Sequence, residues 1–279
     1  MSALLEPFRF EFFRNGMAVA TIAGALCGLV GVYVVLRGMS YIGHGLSHAI
    51  FGGAVASYLA GVNFYVGAGA WGLVSALLIN GVSRRRTIGA DAAIGVVTTA
   101  SFAAGVAMIS RRRTFTRNFE AALFGDVLGV TTADLLAVTT VALLAAAVVF
   151  LRYRALLFST FDPDVADITG VSTRRIDALL SLVLASVIVA TMPVLGVTLI
   201  AAALVIPPVI ARLLTDRFGR MMAISTALGA VSGLAGLYLS FYLDINSGSA
   251  VVLVAATMFL VAYAATARRR PARLVARPE

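Results

Sequence analysis

Between Arg37 and Arg84 the chain runs for 46 residues without one Asp, Glu, Lys or Arg. A helix with no charged face has no side to offer to water, so such a stretch must lie against lipid or other helices. At about 1.5 Å per residue it is long enough to cross a hydrocarbon core of about 30 Å twice. The pattern repeats along the chain. Apolar runs occupy 17–36, 43–60, 64–80, 92–110, 134–151, 177–192, 195–212, 221–240 and 248–267, each 16–20 residues long. With 60% hydrophobic and 13% charged residues and a mean hydropathy of +0.97, the composition lies outside that of soluble domains. The expected fold class is an all-α, polytopic membrane protein of about eight to ten transmembrane helices, forming one domain over 1–279.

The net charge is +9, and all 22 basic residues are arginines. They stand in short groups between apolar runs, as cytoplasmic loops do, and form no single face for nucleic acid. Arg37, Arg84–Arg86, Arg152 with Arg154, Arg174 with Arg175, Arg212 with Arg217 and Arg220, and Arg268–Arg270 mark one side. Nine spans then put the C-terminus inside, with 268–279 a basic cytoplasmic tail, and the N-terminus outside. Arg111–Arg113 and Arg117 break the pattern, and a re-entrant piece over 118–131 would repair it. Residues 1–16 carry Glu6, Arg9, Glu11, Arg14 and several phenylalanines, and are expected to form an amphipathic interfacial segment rather than a cleavable leader. Cys27 is the single cysteine, within an apolar run, so no disulfide can form within the chain.

The chain's only two histidines, His44 and His48, fall inside the uncharged stretch. Four residues apart, they share one helix face. Counted from Arg37 they lie about 10 Å and about 16 Å deep, near the middle of a bilayer. Ionisable groups at that depth are costly and mark functional sites. Neutral imidazoles bind transition metals and need no buried charge when empty. The plainer reading is a pair hydrogen-bonded to neighbouring helices. Ser47 and Tyr41 border the pair, and Asp126 and Asp244, near span ends, are candidate auxiliary ligands with turn or capping roles as the alternative.

Two other segments stand out. In 152–176, part of the longest polar stretch, Asp162 and Pro163 suit the N-cap and first position of a helix, and Gly170 suits its C-terminal cap. A helix of about two turns over 163–169 is expected there, either as a solvated connector or as a docking element for a cytoplasmic partner. In 196–217, Pro207 and Pro208 should break or kink a helix. Broken helices at membrane depth are tolerated where they line a cavity, which favours a transporter over an anchor.

These segments match a known pattern. LRGMSYIGHGLSHAIFGGAVASYL (36–59) resembles the second-span signature of the ABC-3 family, the membrane permeases of ABC importers for manganese, zinc and iron. GADAAIGVVTTASFAAGVAMIS (89–110), LFGDVLGVTTADL (123–135), FDPDVADITGV (161–171), GVTLIAAALVIPPVIARLLTDRFGRMM (196–222) and YLDINSGSAVVL (242–253) resemble further blocks of that family, in the same order. Two positions depart from it: His44 stands where the family often has Asp, and Ala90-Asp91 stands where it has an acidic pair.

The resemblance implies the fold of the cobalamin and siderophore permeases, a homodimer around one pathway, a separate ABC ATPase subunit, and an extracytoplasmic solute-binding protein that delivers the metal. It implies a cell-membrane protein with lipid around it and no nucleic-acid partner. His44 and His48 become transient ligands of the transported ion. Asp162, Pro163, Asp164, Ala166 and Gly170 fall in the block that contacts the ATPase. No Walker A sequence is present, so ATP acts through the partner subunit, no cofactor is permanently bound, and the chain is a transport subunit rather than an enzyme. A permease for a metal chelate is the first alternative. An ion-coupled carrier is the second, and it would need acidic relay groups inside the spans.

Overall fold

The computed structural model describes residues 6–83, 90–112, 123–125 and 129–267. Arg84–Arg86, Asp126 and the tail 268–279 lie outside the described residues, as does most of the expected re-entrant piece.

The described chain is helical. A 3-10 turn (Glu6–Arg9) leads into α1 (Glu11–Leu36), followed by α2 (Ser40–Leu59), α3 (Phe64–Ser83), α4 (Ala90–Arg112), α5 (Thr132–Leu151), α6 (Tyr153–Phe161), α7 (Pro163–Ile168), α8 (Thr173–Leu195), α9 (Ile200–Leu214), α10 (Phe218–Leu243) and α11 (Ser247–Ala267). Seven of the nine expected spans are long and apolar enough to cross a bilayer: α1, α3, α4, α5, α8, α10 and α11. The other two are α2, whose 20 residues include both histidines, and α9, which has only 15. The first helix begins at Glu11, inside the expected interfacial segment, and its Phe13 packs edge-on to Phe241 and Tyr238 of α10.

The bundle is built around α1 and α8. In each, 72% of the apolar stretch is buried, against 17% in α5 and α11, whose apolar surface is left uncovered in the single chain. The tightest pair is α1 with α10, running antiparallel. Gly24 and Gly28 lie against Gly229, Gly233 and Ser225 so closely that an added Cβ would strike the opposing backbone. This is small-residue packing, used where burial from water cannot drive helices together. The Ser225 hydroxyl also donates to the Gly28 carbonyl at 2.6 Å.

The helix break falls where the sequence did not place it. α9 runs unbroken through Pro207 and Pro208. The interruption lies upstream, at 196–199 between α8 and α9. Pro208 has no N–H for the Leu204 carbonyl four residues back. Gly31 of α1 lies directly against that carbonyl and near the Pro208 ring, with no room for a Cβ. A close Cα–H contact of this kind partly satisfies a freed carbonyl, so Pro208 is absorbed by packing. Gly196 takes φ 73° and ψ 154°, a conformation open essentially to glycine, and the chain reverses there.

The polar segment 152–176 holds two helices rather than one. α6 packs Leu156 into a cluster with Tyr33, Val149, Ile176 and Leu180 at the Arg37 end of the bundle. α7 follows with the expected ends: Asp162 Oδ1 accepts from Val165 N–H at 3.0 Å, Gly170 has φ 81°, and Val171 N–H donates to the Ala166 carbonyl at 2.9 Å.

Candidate metal pathway

The two histidines meet on α2. Their ring centroids are 4.4 Å apart. His44 is exposed in the single chain and His48 is half-buried beneath it, 5.3 Å from the Phe102 ring of α4. His48 Nδ1 lies 3.0 Å from the His44 carbonyl oxygen. A carbonyl only accepts, so this bond places the proton on Nδ1 and leaves a lone pair on Nε2. That tautomer suits metal ligation. At a centroid separation of 4.4 Å the two imidazoles are near enough for both to reach one ion. Among the described residues no group of three or more His, Cys, Asp or Glu side chains comes together.

Ser47 ties this pair to the helix break. Its hydroxyl is fully buried, 3.0 Å from the Val197 carbonyl, 2.8 Å from the His44 carbonyl and 3.5 Å from His48 Nδ1. The break therefore lies at the level of the histidines. Its other side is filled by 123–125. Thr198 donates through N–H and Oγ1 to the Leu123 carbonyl, and Asn246 Nδ2 donates to the Gly125 carbonyl at 2.9 Å. Of the expected auxiliary residues, the structure brings Ser47 to the histidines. Asp244 ends α10 in the left-handed conformation, exposed, at the α10–α11 turn, and no described contact joins it to the pair.

Sequence reasoning missed two contributors here, Phe102 and Asn246, and a contact elsewhere at the start of α5. Phe102 belongs to an ordinary apolar run and gave no signal. Asn246 did: an Asn ahead of Ser-Gly at a helix start is a capping pattern, and its Oδ1 accepts from Ser249 N–H at 3.0 Å. Asp134 looked like a span-entry residue. It forms a capping box with Thr131 and also accepts a hydrogen bond from the Tyr65 hydroxyl of α3.

At the Arg37 end, α6 and α7 expose apolar side chains: Phe161, which ends α6, is 60% exposed and Ile168, which ends α7, 85%, while Ala166 is buried. Asp164 lies exposed in the first turn of α7. Exposed large apolar residues in a charged loop outside the apolar spans mark a contact surface.

Known proteins are similar to this chain in sequence and fold. The chain is 37% identical over 254 residues to the "Manganese transport system membrane protein MntC" of Halalkalibacterium halodurans, covering 91% of this chain and 87% of that one. It is 34% identical to the "Probable iron transport system membrane protein" of Haemophilus influenzae, covering 94% and 96%. Among solved structures, PsaBC from Streptococcus pneumoniae in complex with Fab superposes with a TM-score of 0.85 at 29% identity, over 94% of this chain and 95% of that one. An inward-facing metal-chelate type ABC transporter shares the fold at a TM-score of 0.70 and 16% identity, over 91% and 86%. The model of the ABC 3 transport family matches residues 9–266, and with spans, blocks and fold in agreement, this multi-pass membrane protein belongs to that family.

Proposed function

We propose that this chain is the permease subunit of an ABC importer for a divalent transition metal ion, with manganese and iron as the leading cargoes and zinc within the same donor chemistry. The observation that carries the reading is the His44–His48 pair, two imidazoles side by side on α2 next to a broken helix. Two imidazoles suffice to receive an ion but do not cage it, which suits passage rather than storage. The relatives named for manganese and iron transport support the choice of cargo.

The remaining ligands come from water and from a second copy. His44 and Tyr41 are exposed in the single chain, on the same face as His48. In a two-fold homodimer that face lines one central pathway between two walls that alternate access. The segment 161–171 docks the ATPase subunit through Ile168, Phe161 and Asp164, and a solute-binding protein delivers the ion at the opposite end.

The test is uptake by the reconstituted complex, with Mn2+, Fe2+ and Zn2+ as separate probes. His48→Ala should abolish uptake while leaving the chain folded and inserted, because it removes a ligand and adds no buried charge. Full uptake by His48→Ala would refute the pathway.

A further inference from the structure

We propose that Arg37 is the positioning residue that carries the movement of the docking helices to the histidine-bearing helix. The inference rests on the proposed function for the identity of the two ends, and on geometry for the link between them.

Arg37 caps α1 and stands three residues ahead of α2. Its side chain is only 9% exposed, and its guanidinium holds two other elements at once. Nη1 donates to Asp177 Oδ1 in the first turns of α8 at 2.6 Å. Nη2 donates to Ser159 Oγ at 2.6 Å and Nε to Thr160 Oγ1 at 3.1 Å, both near the end of α6. Asp162, which starts α7, follows two residues after Thr160. One planar fork thus joins the docking helices, the start of α8 and the α1–α2 turn. A lysine, with a flexible point charge, does not hold three directed bonds in this way.

The far end of α8 closes the circuit. It leads into the 196–199 break, where the Val197 carbonyl takes the Ser47 hydroxyl beside His48. The chain is therefore tied at two points, Arg37 at the α1–α2 turn to Asp177 of α8 and Ser47 of α2 to Val197 in the break, and His44 lies between Arg37 and Ser47 in the chain. The α1–α2 turn is itself stiff: Gly38 N–H donates to the Val35 carbonyl and Met39 N–H to the Val34 carbonyl. A displacement of α6 is delivered through Ser159 and Thr160 to Arg37, and a stiff turn passes it to α2 rather than absorbing it. Hydrogen-bonded networks between rigid elements are one physical route by which coupling passes between distant sites.

The test separates the link from the fold by cutting only the α6 side, which leaves the Arg37–Asp177 pair whole. The complex with its ATPase subunit and solute-binding protein is placed in liposomes, and Mn2+ taken up and ATP hydrolysed are measured together. The double variant Ser159→Ala, Thr160→Val should lower ions moved per ATP by about tenfold. Its yield of assembled complex should stay at the wild-type value, while its thermal midpoint falls by a few degrees, the cost of donors left unpaired on a nearly buried guanidinium. Arg37→Lys should show the same loss, and Thr160→Ser alone should keep the wild-type ratio. An unchanged ratio in both the double variant and Arg37→Lys overturns the inference alone. So does a loss of uptake that only follows a loss of assembled complex, since the network would then be structural. A wild-type complex that hydrolyses ATP yet moves none of Mn2+, Fe2+ or Zn2+ overturns the proposed function, and this inference with it.

Discussion

Replacing Ser47 by Ala removes one oxygen from a fully buried position and leaves the packing otherwise unchanged. The loss falls on the Val197 carbonyl, which lies in the 196–199 break and takes the Ser47 hydroxyl at 3.0 Å. Without that donor it faces packed helices. Leaving a buried carbonyl unsatisfied costs about 1–3 kcal/mol, whereas side-chain hydrogen bonds between membrane helices average about 0.6 and reach about 1.7 kcal/mol. The expected destabilisation is therefore about 1–2 kcal/mol. The same hydroxyl lies 3.5 Å from His48 Nδ1, so its removal also loosens the ring that should meet the ion. A misplacement worth about 1.4 kcal/mol is tenfold in an equilibrium, and Mn2+ uptake should fall by about three- to tenfold. Ser57→Ala is the matched control. Its hydroxyl is also buried but donates to Ala54 within its own helix, at 3.0 Å. That carbonyl keeps its helical partner, so the cost should stay below about 0.5 kcal/mol. Both variants are compared by denaturant titration in mixed micelles and by uptake in liposomes. If Ser47→Ala matches Ser57→Ala in both assays, the hydroxyl does not hold the break and the orientation of His48 has another source.

Gly196→Ala should destabilise the chain by about 2–3 kcal/mol, from its left-handed backbone and from collision of the new Cβ with the backbone of Phe124 and Gly125; wild-type stability in the same titration would count against the reversal at 196. Ile168→Glu places a charge on the most exposed apolar residue of α7 and should weaken retention of the ATPase subunit at least tenfold, read by pull-down. Tyr41→Cys, in a Cys27→Ala background, should crosslink between two copies in a nucleotide-dependent way. An introduced thiol that stays inert and lipid-exposed in every nucleotide state would remove the shared pathway.

What the residues alone determined is local. The apolar runs located the helices of all nine expected spans, seven of them long and apolar enough to cross a bilayer, because a helix that satisfies its own backbone in lipid announces itself by length and apolarity. The spacing of His44 and His48 put them on one face, and Asp162, Pro163 and Gly170 fixed the ends of α7, because periodicity and capping act within a few residues. The tertiary structure decided everything that depends on which surfaces meet. Pro207 and Pro208 looked like the break, yet Gly31 of another helix covers the carbonyl that Pro208 frees, and the reversal moved to Gly196, where 123–125 packs. Ser47 was visible beside the histidines, but its hold on Val197 spans 150 positions of sequence. Arg37 read as one more loop arginine until α6 and α8 closed around it. Hydropathy and caps report what a segment needs for itself; a hydrogen bond between distant helices exists only once packing has chosen the neighbours.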